Sequence, residues 1–237
     1  MVNLSVNINK IATLRNARGG NVPDILKVAE DCQKFGADGI TIHPRPDERH
    51  ITKSDVFNLK PLVHTEYNIE GYPSREFIDM VISVNPHQVT LVPDGPDVLT
   101  SNAGWDTIKH NNFLSDIISE FKEKNIRTSI FIDPYLNMIE NAKLCGSDRI
   151  ELYTEKYAIN YNINREKSIQ PYKEAAKFAS ELDLGVNAGH DLNLENLEFF
   201  VKNIPNLAEV SIGHALISDS IYLGLENTVR MYKRLCM

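Results

Sequence analysis

Ionisable and amide side chains in this chain recur immediately after short β-branched runs. His43 follows Gly39-Ile40-Thr41-Ile42, with Arg45, Arg49 and His50 close behind. Glu70 closes Tyr67-Asn68-Ile69, Glu151 lies in Arg149-Ile150-Glu151-Leu152, and Asp133 follows Ile130-Phe131-Ile132. Asn187, Gly189, His190 and Asp191 lie in and just past a seventh run, Gly213-His214 follows an eighth, and Asn7, Asn9 and Lys10 lie at the end of the first. A carboxylate at the end of an apolar strand loses water, which lifts its pKa toward neutrality and suits proton transfer; Glu70 is the leading candidate. Glu151 reads equally well as a structural ion-pair partner or as a group that stabilises a cation.

The segment HPRPDERHITK (43–53) gathers Arg, His and Lys side chains in one stretch. Guanidinium forks bind phosphate through paired charge-assisted bonds. Arg45, two residues past its strand, is the anion-binding candidate, while Arg49 and Lys53 read as an exposed charged loop. Arg18 follows the first strand in ATLRNARGG, where Gly19-Gly20 bends the chain, and Arg15 reads equally well as surface. The Gly189-His190 and Gly213-His214 pairs fall where barrels hold phosphate on backbone N–H groups and a helix N-terminus. Thr100 lies in a long Gly/Pro-rich segment, PDGPDVLTSNAGWD (93–106), expected to close as a lid that excludes water. His64, His87 and His110 read as structural.

Other chemistries are disfavoured. No H-x-H follows the first strand and no H-E-x-x-H occurs, so no metal centre is expected. Lys10 is the one Schiff-base candidate, and it lies two residues past its strand. Cys32, Cys145 and Cys236 fall in helical segments, which argues against a cysteine nucleophile. They form no C-x-x-C and suit a reducing cytosol.

These positions need elements to hold them. The β-rich runs predict strands at 4–8, 39–43, 67–70, 88–92, 128–132, 149–152, 185–188 and 209–212. Apolar periodicity predicts helices at about 22–35, 55–63, 75–84, 114–124, 136–145, 167–182, 194–203 and 217–235, the first capped by Asn21. Strands alternating with helices give a parallel sheet with right-handed crossovers. Eight such units close into a (β/α)8 TIM barrel, here one domain over 1–237 with a few additional helices. A doubly wound open sheet is the alternative; it normally has fewer strands, and no G-x-G-x-x-G follows the first one. The helix–Gly–strand stretch at 36–43 is echoed at 146–153, as stacked βα units require, although any αβ loop looks similar.

Composition agrees with a globular enzyme. The chain has 237 residues, 42% of them apolar and 24% charged, so disorder is not the dominant state. A net charge of −7 argues against bulk nucleic-acid or anionic-membrane binding, but not against a small anion held in one cationic cleft. No run of about 18 apolar residues predicts a membrane span, and the first ten residues lack a signal-peptide core.

The segments VNINKIATLRNARGG, GADGITIHPRPDERHIT, YNIEG, SIFID, IELYT, VNAGHDL and SIGHALI, in this order over nearly the whole chain, resemble the pyridoxine 5'-phosphate synthase family. The resemblance implies a (β/α)8 barrel assembled as a cytoplasmic homo-octamer, with no metal or organic cofactor. It implies condensation of 3-amino-1-hydroxyacetone 1-phosphate with 1-deoxy-D-xylulose 5-phosphate to pyridoxine 5'-phosphate, phosphate and water. By the same resemblance His43 is a proton acceptor, Glu70 a second acid/base, His190 a proton donor, and Glu151 a stabiliser of a charged transition state. Asn7, Asn9, Lys10, Arg18, Arg45, His50, Thr100, Asp191, Gly213 and His214 fall at substrate and phosphate contacts. Better-known members carry Asp-His at Asn9-Lys10 and Gly at Asp191. Asn9 can still hydrogen-bond a hydroxyl, Lys10 can attract phosphate, and the Asp191 carboxylate would repel it.

Two other functions compete. An isomerase or epimerase of sugar phosphates on the same barrel needs only one acid/base pair and one phosphate site. A non-catalytic barrel that senses a phosphorylated ligand has no use for His43, Glu70 and His190 together.

Overall fold

A computed structural model of the chain describes residues 1–94 and 103–237. Eight parallel strands close in sequence order, with the last pairing back onto the first: β1 (Asn3–Asn7), β2 (Gly39–Ile42), β3 (Glu66–Gly71), β4 (Gln88–Leu91), β5 (Arg127–Ile132), β6 (Arg149–Tyr153), β7 (Gly185–Gly189) and β8 (Leu207–Ile212). Between and after them run α1 (Asn9–Asn16), α2 (Ile25–Lys34), α3 (Lys53–Leu59), α4 (Arg75–Val84), α5 (Asn111–Glu123), α6 (Leu136–Leu144), α7 (Glu155–Glu181), α8 (Leu197–Asn203), α9 (His214–Leu223) and α10 (Leu225–Leu235). This is the expected (β/α)8 TIM barrel.

Side-chain alternation sorts each strand by face. Leu4, Val6, Ile40, Ile42, Ile69, Val89, Leu91, Ile150 and Leu152 are buried in the apolar shell beneath the helices. The alternate positions are polar and equally buried: Ser5, Thr41, Asn68, Thr90, Ser129, Glu151, Asn187, Glu209 and Ser211. Branched apolar residues usually fill the inside of this fold. Here hydrogen bonds satisfy much of the polar interior: Ser5 to Thr41 at 2.7 Å, Asn68 to Thr41 at 3.3 Å, and Thr90 to Asn68 at 3.1 Å.

Local signals explain the helix boundaries and four departures from expectation. Asp24, not Asn21, caps α2, accepting from the N–H groups of Leu26 and Lys27. α1 was not legible in the sequence, because Ile11 and Ala12 are its only buried apolar residues. The expected helix at 167–182 is the second half of α7. Asn164 breaks the helical path there, and its side chain accepts from the Lys167 N–H at 2.9 Å, which restarts the helix. The expected helix at 217–235 is two helices, split at Gly224, whose φ of +78° suits glycine. Cys32 lies within α2, whereas Cys145 and Cys236 are C-caps; all three are buried.

Candidate active site

The C-terminal ends of the strands carry the site, and burial sets its chemistry. Glu70 on β3 and Glu151 on β6 project inward with relative exposures of 9% and 3%. Burial drives the Glu70 carboxyl well above the ordinary carboxylate range; the charges of Glu151, Glu209 and Asp94 add to this, and a hydrogen bond from Ser211 opposes it. Burial also lifts Glu151, to about 7, against the opposing charge of His190 and a hydrogen bond from Thr90. His43 shifts the other way. Its burial and the neighbouring Arg45, His50 and Arg49 hold the imidazole well below its usual range, so it is neutral at pH 7. A carboxyl that holds its proton more tightly than usual and a neutral imidazole thus stand at the C-terminal ends of the adjacent strands β3 and β2, a pairing suited to proton transfer.

A chain of amides ties β1 to both groups. Asn9 Oδ1 accepts from the His43 backbone N–H at 3.0 Å. Asn7 Oδ1 accepts from the Asn9 N–H at 3.1 Å, while Asn7 Nδ2 donates to Glu70 Oε2 at 3.5 Å. Asn9 therefore holds the β2 exit turn through hydrogen bonds that need no ionisable side chain. Lys10, on the next position of α1, is exposed at the rim.

The cationic side of the mouth follows β2. Arg45 is buried and donates to Asp94 at 2.7 Å. His50 Nδ1 accepts from the Ile51 N–H at 2.9 Å, and the His43 and His50 rings meet edge-on with centroids 6.3 Å apart. Burial, with Arg45, Lys10 and Arg49 nearby, pushes His50 down to about 4. Arg15 is not surface: its guanidinium grips Asp55 at 2.7 and 2.8 Å and donates to the His50 carbonyl at 3.2 Å. It fixes the loop that presents His50. Arg18 stands exposed in the turn after α1. Thr100 lies outside the described residues, as do positions 95–102 of the expected lid.

The opposite side follows β7 and β8. His190 and Asp191 adopt left-handed backbone, with φ of +74° and +51°. The turn sets His190 Nδ1 2.6 Å from Asp191 Oδ2, with the imidazole edge-on to Tyr153. That hydrogen bond is the first cause holding the Asp191 carboxyl below its ordinary range. Asp191 thus engages His190 and faces the neighbouring exposed His214. Gly213 caps α9 beside Asn7, so backbone N–H groups at a helix N-terminus face the site. No group of metal-ligating side chains is found among the described residues.

Sequence reasoning missed Asp94 and Glu209. Asp94 follows a strand end, as the recognised residues do, but it sits in a segment read as a lid. Glu209, 1% exposed on β8, is pushed up to about 8 by burial first and by Glu66 next. A lone charge inside a β-rich run was its only signal.

A closed parallel barrel with buried carboxyls, an imidazole and a guanidinium at the C-terminal ends of its strands defines the class: a (β/α)8 barrel. The model of the family described as "Pyridoxal phosphate biosynthesis protein PdxJ" matches residues 4–237. The chain belongs to this family. Among its relatives, the pyridoxine 5'-phosphate synthases of Flavobacterium johnsoniae and Bacteroides fragilis are each 63% identical, over 98% of this chain and 98% of theirs. Solved structures share the fold at low identity. Phosphoribosyl anthranilate isomerase from Thermotoga maritima has a TM-score of 0.60 at 13% identity, covering 100% of this chain and 98% of its own. Tryptophan synthase from M. tuberculosis in an open form has a TM-score of 0.66 at 11% identity, covering 99% and 92%.

Proposed function

We propose that this chain is a pyridoxine 5'-phosphate synthase, condensing 3-amino-1-hydroxyacetone 1-phosphate with 1-deoxy-D-xylulose 5-phosphate and releasing phosphate and water. The observation that carries the reading is the meeting of raised Glu70 and Glu151 with neutral His43 at one barrel mouth, in a chain of this family. Joining an amine to a ketone, expelling phosphate and water, and closing an aromatic ring requires repeated proton transfers. Neutral His43 accepts a proton, and Glu70, whose hold on its proton burial strengthens, returns one. His190, held through Nδ1 by Asp191, donates to a leaving oxygen. Glu151 supplies negative charge to a cationic intermediate in its ionised form.

Two phosphorylated substrates need two anion sites. Arg18, Arg45 and His50, with Asn9 and Lys10, serve the sugar phosphate. The α9 N-terminus at Gly213-His214, with Asn7 and the Asp191 backbone, serves the amino ketone. Asp191 spends its charge on His190, which lessens its repulsion of phosphate. No organic cofactor takes part.

The homo-octamer belongs to the same reading and is supported by apolar side chains left exposed on α7 and α9, including Ile163 and Tyr222. Light scattering is expected to give a particle of about eight times the 26.8 kDa chain mass; a monomer overturns the octamer.

The deciding experiment mixes both substrates with purified protein and follows phosphate and pyridoxine 5'-phosphate. Wild type is expected to form product. Glu70→Gln keeps the shape but cannot exchange a proton, and its kcat is expected to fall by about 100-fold or more. Absence of product from correctly folded wild type overturns the reading.

A further inference from the structure

We propose that Asp94 is a positioning residue for substrate binding, fixing the Arg45 guanidinium at the edge of the cavity beside His43. The inference rests on the sugar-phosphate reading of Arg45. The ion pair joins the exits of β2 and β4, with Arg45 Nη2 2.7 Å from Asp94 Oδ2 and side-chain exposures of 5% and 1%. Both residues line a cavity of about 360 Å³ that His43 also lines, together with the apolar walls of Pro44, Tyr72 and Phe77. The pair therefore lies in the wall of a cavity that reaches His43, not on a solvated rim where such contacts contribute little.

Each partner is delivered by a rigid approach. Arg45 stands between Pro44 and Pro46, whose rings restrict the backbone, and its carbonyl accepts from the Glu48 N–H at 3.0 Å. Asp94 follows Val92-Pro93. The Val92 N–H donates to the Gly71 carbonyl at 3.1 Å, and its side chain packs with Phe131 and Tyr153. The backbone is held at both ends, and the Arg45 side chain, with its many rotamers, is what remains to be fixed. Asp94 fixes it before substrate arrives, so binding the phosphate does not carry that ordering cost.

Removing the carboxylate has two opposing effects. It removes a negative charge that repels phosphate, and it leaves a buried guanidinium without this partner. The second effect is larger, because a desolvated cation that loses its counter-charge moves toward water. Arg45 then leaves the place where the phosphate would meet it.

The test is a double-mutant cycle over Asp94→Ala, Arg45→Ala and the pair, with Asp94→Asn and Asp94→Glu alongside. For Asp94→Ala, the KM for 1-deoxy-D-xylulose 5-phosphate is expected to rise about tenfold, with the amino-ketone KM changed less than about threefold. Asp94→Asn is milder, and Asp94→Glu recovers most of the loss. In the Arg45→Ala background, Asp94→Ala is expected to add nothing, since Asp94 acts through Arg45. Titration calorimetry with 1-deoxy-D-xylulose 5-phosphate reads the same cycle as Kd and needs no turnover, so it stands apart from the test of the overall reaction. If Asp94→Ala alaninisation alone fails to fold, Asp94→Asn carries the cycle. Equal rises in both KM values, or an Asp94 effect that persists undiminished without Arg45, overturns the proposal.

Discussion

At Gly189 a single methyl group decides whether Glu151 keeps its place. A Cβ there would lie 2.2 Å from Glu151 Oε1 and 3.4 Å from the Ser211 carbonyl. The carboxylate is 3% exposed inside a closed barrel and has little room to retreat. Gly189→Ala is therefore expected to lower kcat at least about tenfold while the protein still folds, measured by the two-substrate assay and circular dichroism. Overpacking of this kind typically costs about 1–3 kcal/mol. The same close packing gives Glu70 and Glu151 their chemistry: burial comes first among the causes of both raised pKa values, ahead of any neighbouring charge.

Among the elements, α1 and α3 act together as the support of the β2 loop. Thr52 and Asp55 form a capping box that starts α3. Asp55 also receives Arg15 from α1, with side-chain exposures of 7% and 9%, and Arg15 reaches the His50 carbonyl. Breaking such a buried pair by removing one partner costs about 3–5 kcal/mol, because the other is left without its counter-charge. Arg15→Ala is expected to lose stability of that order in urea denaturation and to raise the KM for the sugar phosphate through a loosened His50. Arg15→Lys keeps the charge without the fork and should fall between. A loss below about 0.5 kcal/mol would assign Arg15 no supporting role.

For the molecule as a whole, the polar interior makes stability depend on pH in both directions. Glu70, Glu151 and Glu209 are raised above their ordinary value of 4.5, Glu151 to about 7 and Glu209 to about 8. Their contribution is complete below that ordinary value and drains as pH rises through the folded values. His43 and His50 are depressed from 6.5, so their contribution is present above it and is lost as pH falls, for His50 through about 4. The melting temperature should thus decline from about pH 6.5, where the histidine contribution is complete, through about 8, with the two sets of groups opposing each other below that window. Glu209→Gln, which removes one raised group, should decline less, by a few degrees at about 2–4 °C per kcal/mol. Parallel curves for variant and wild type would show that Glu209 does not titrate in this range.

The strands and their exits were legible because both signals are local. β-branched runs set the strands, and the residue just past each run names the site, as His43, Glu70, His190 and Gly213 illustrate. The amide links of Asn9 and the lumen hydrogen bonds were not legible, since they depend on which strands become neighbours when the barrel closes. Arg15 read equally well as surface because its partner is 40 residues away, and Arg45 found Asp94 at a separation of 49. Sequence alone determined the barrel, the residues at its strand ends and the family they resemble. Tertiary structure decided which of them are desolvated together. It thereby decided which carboxyls keep a proton and which imidazole stays neutral, since a side chain's pKa is set by burial and by charges brought from distant parts of the chain.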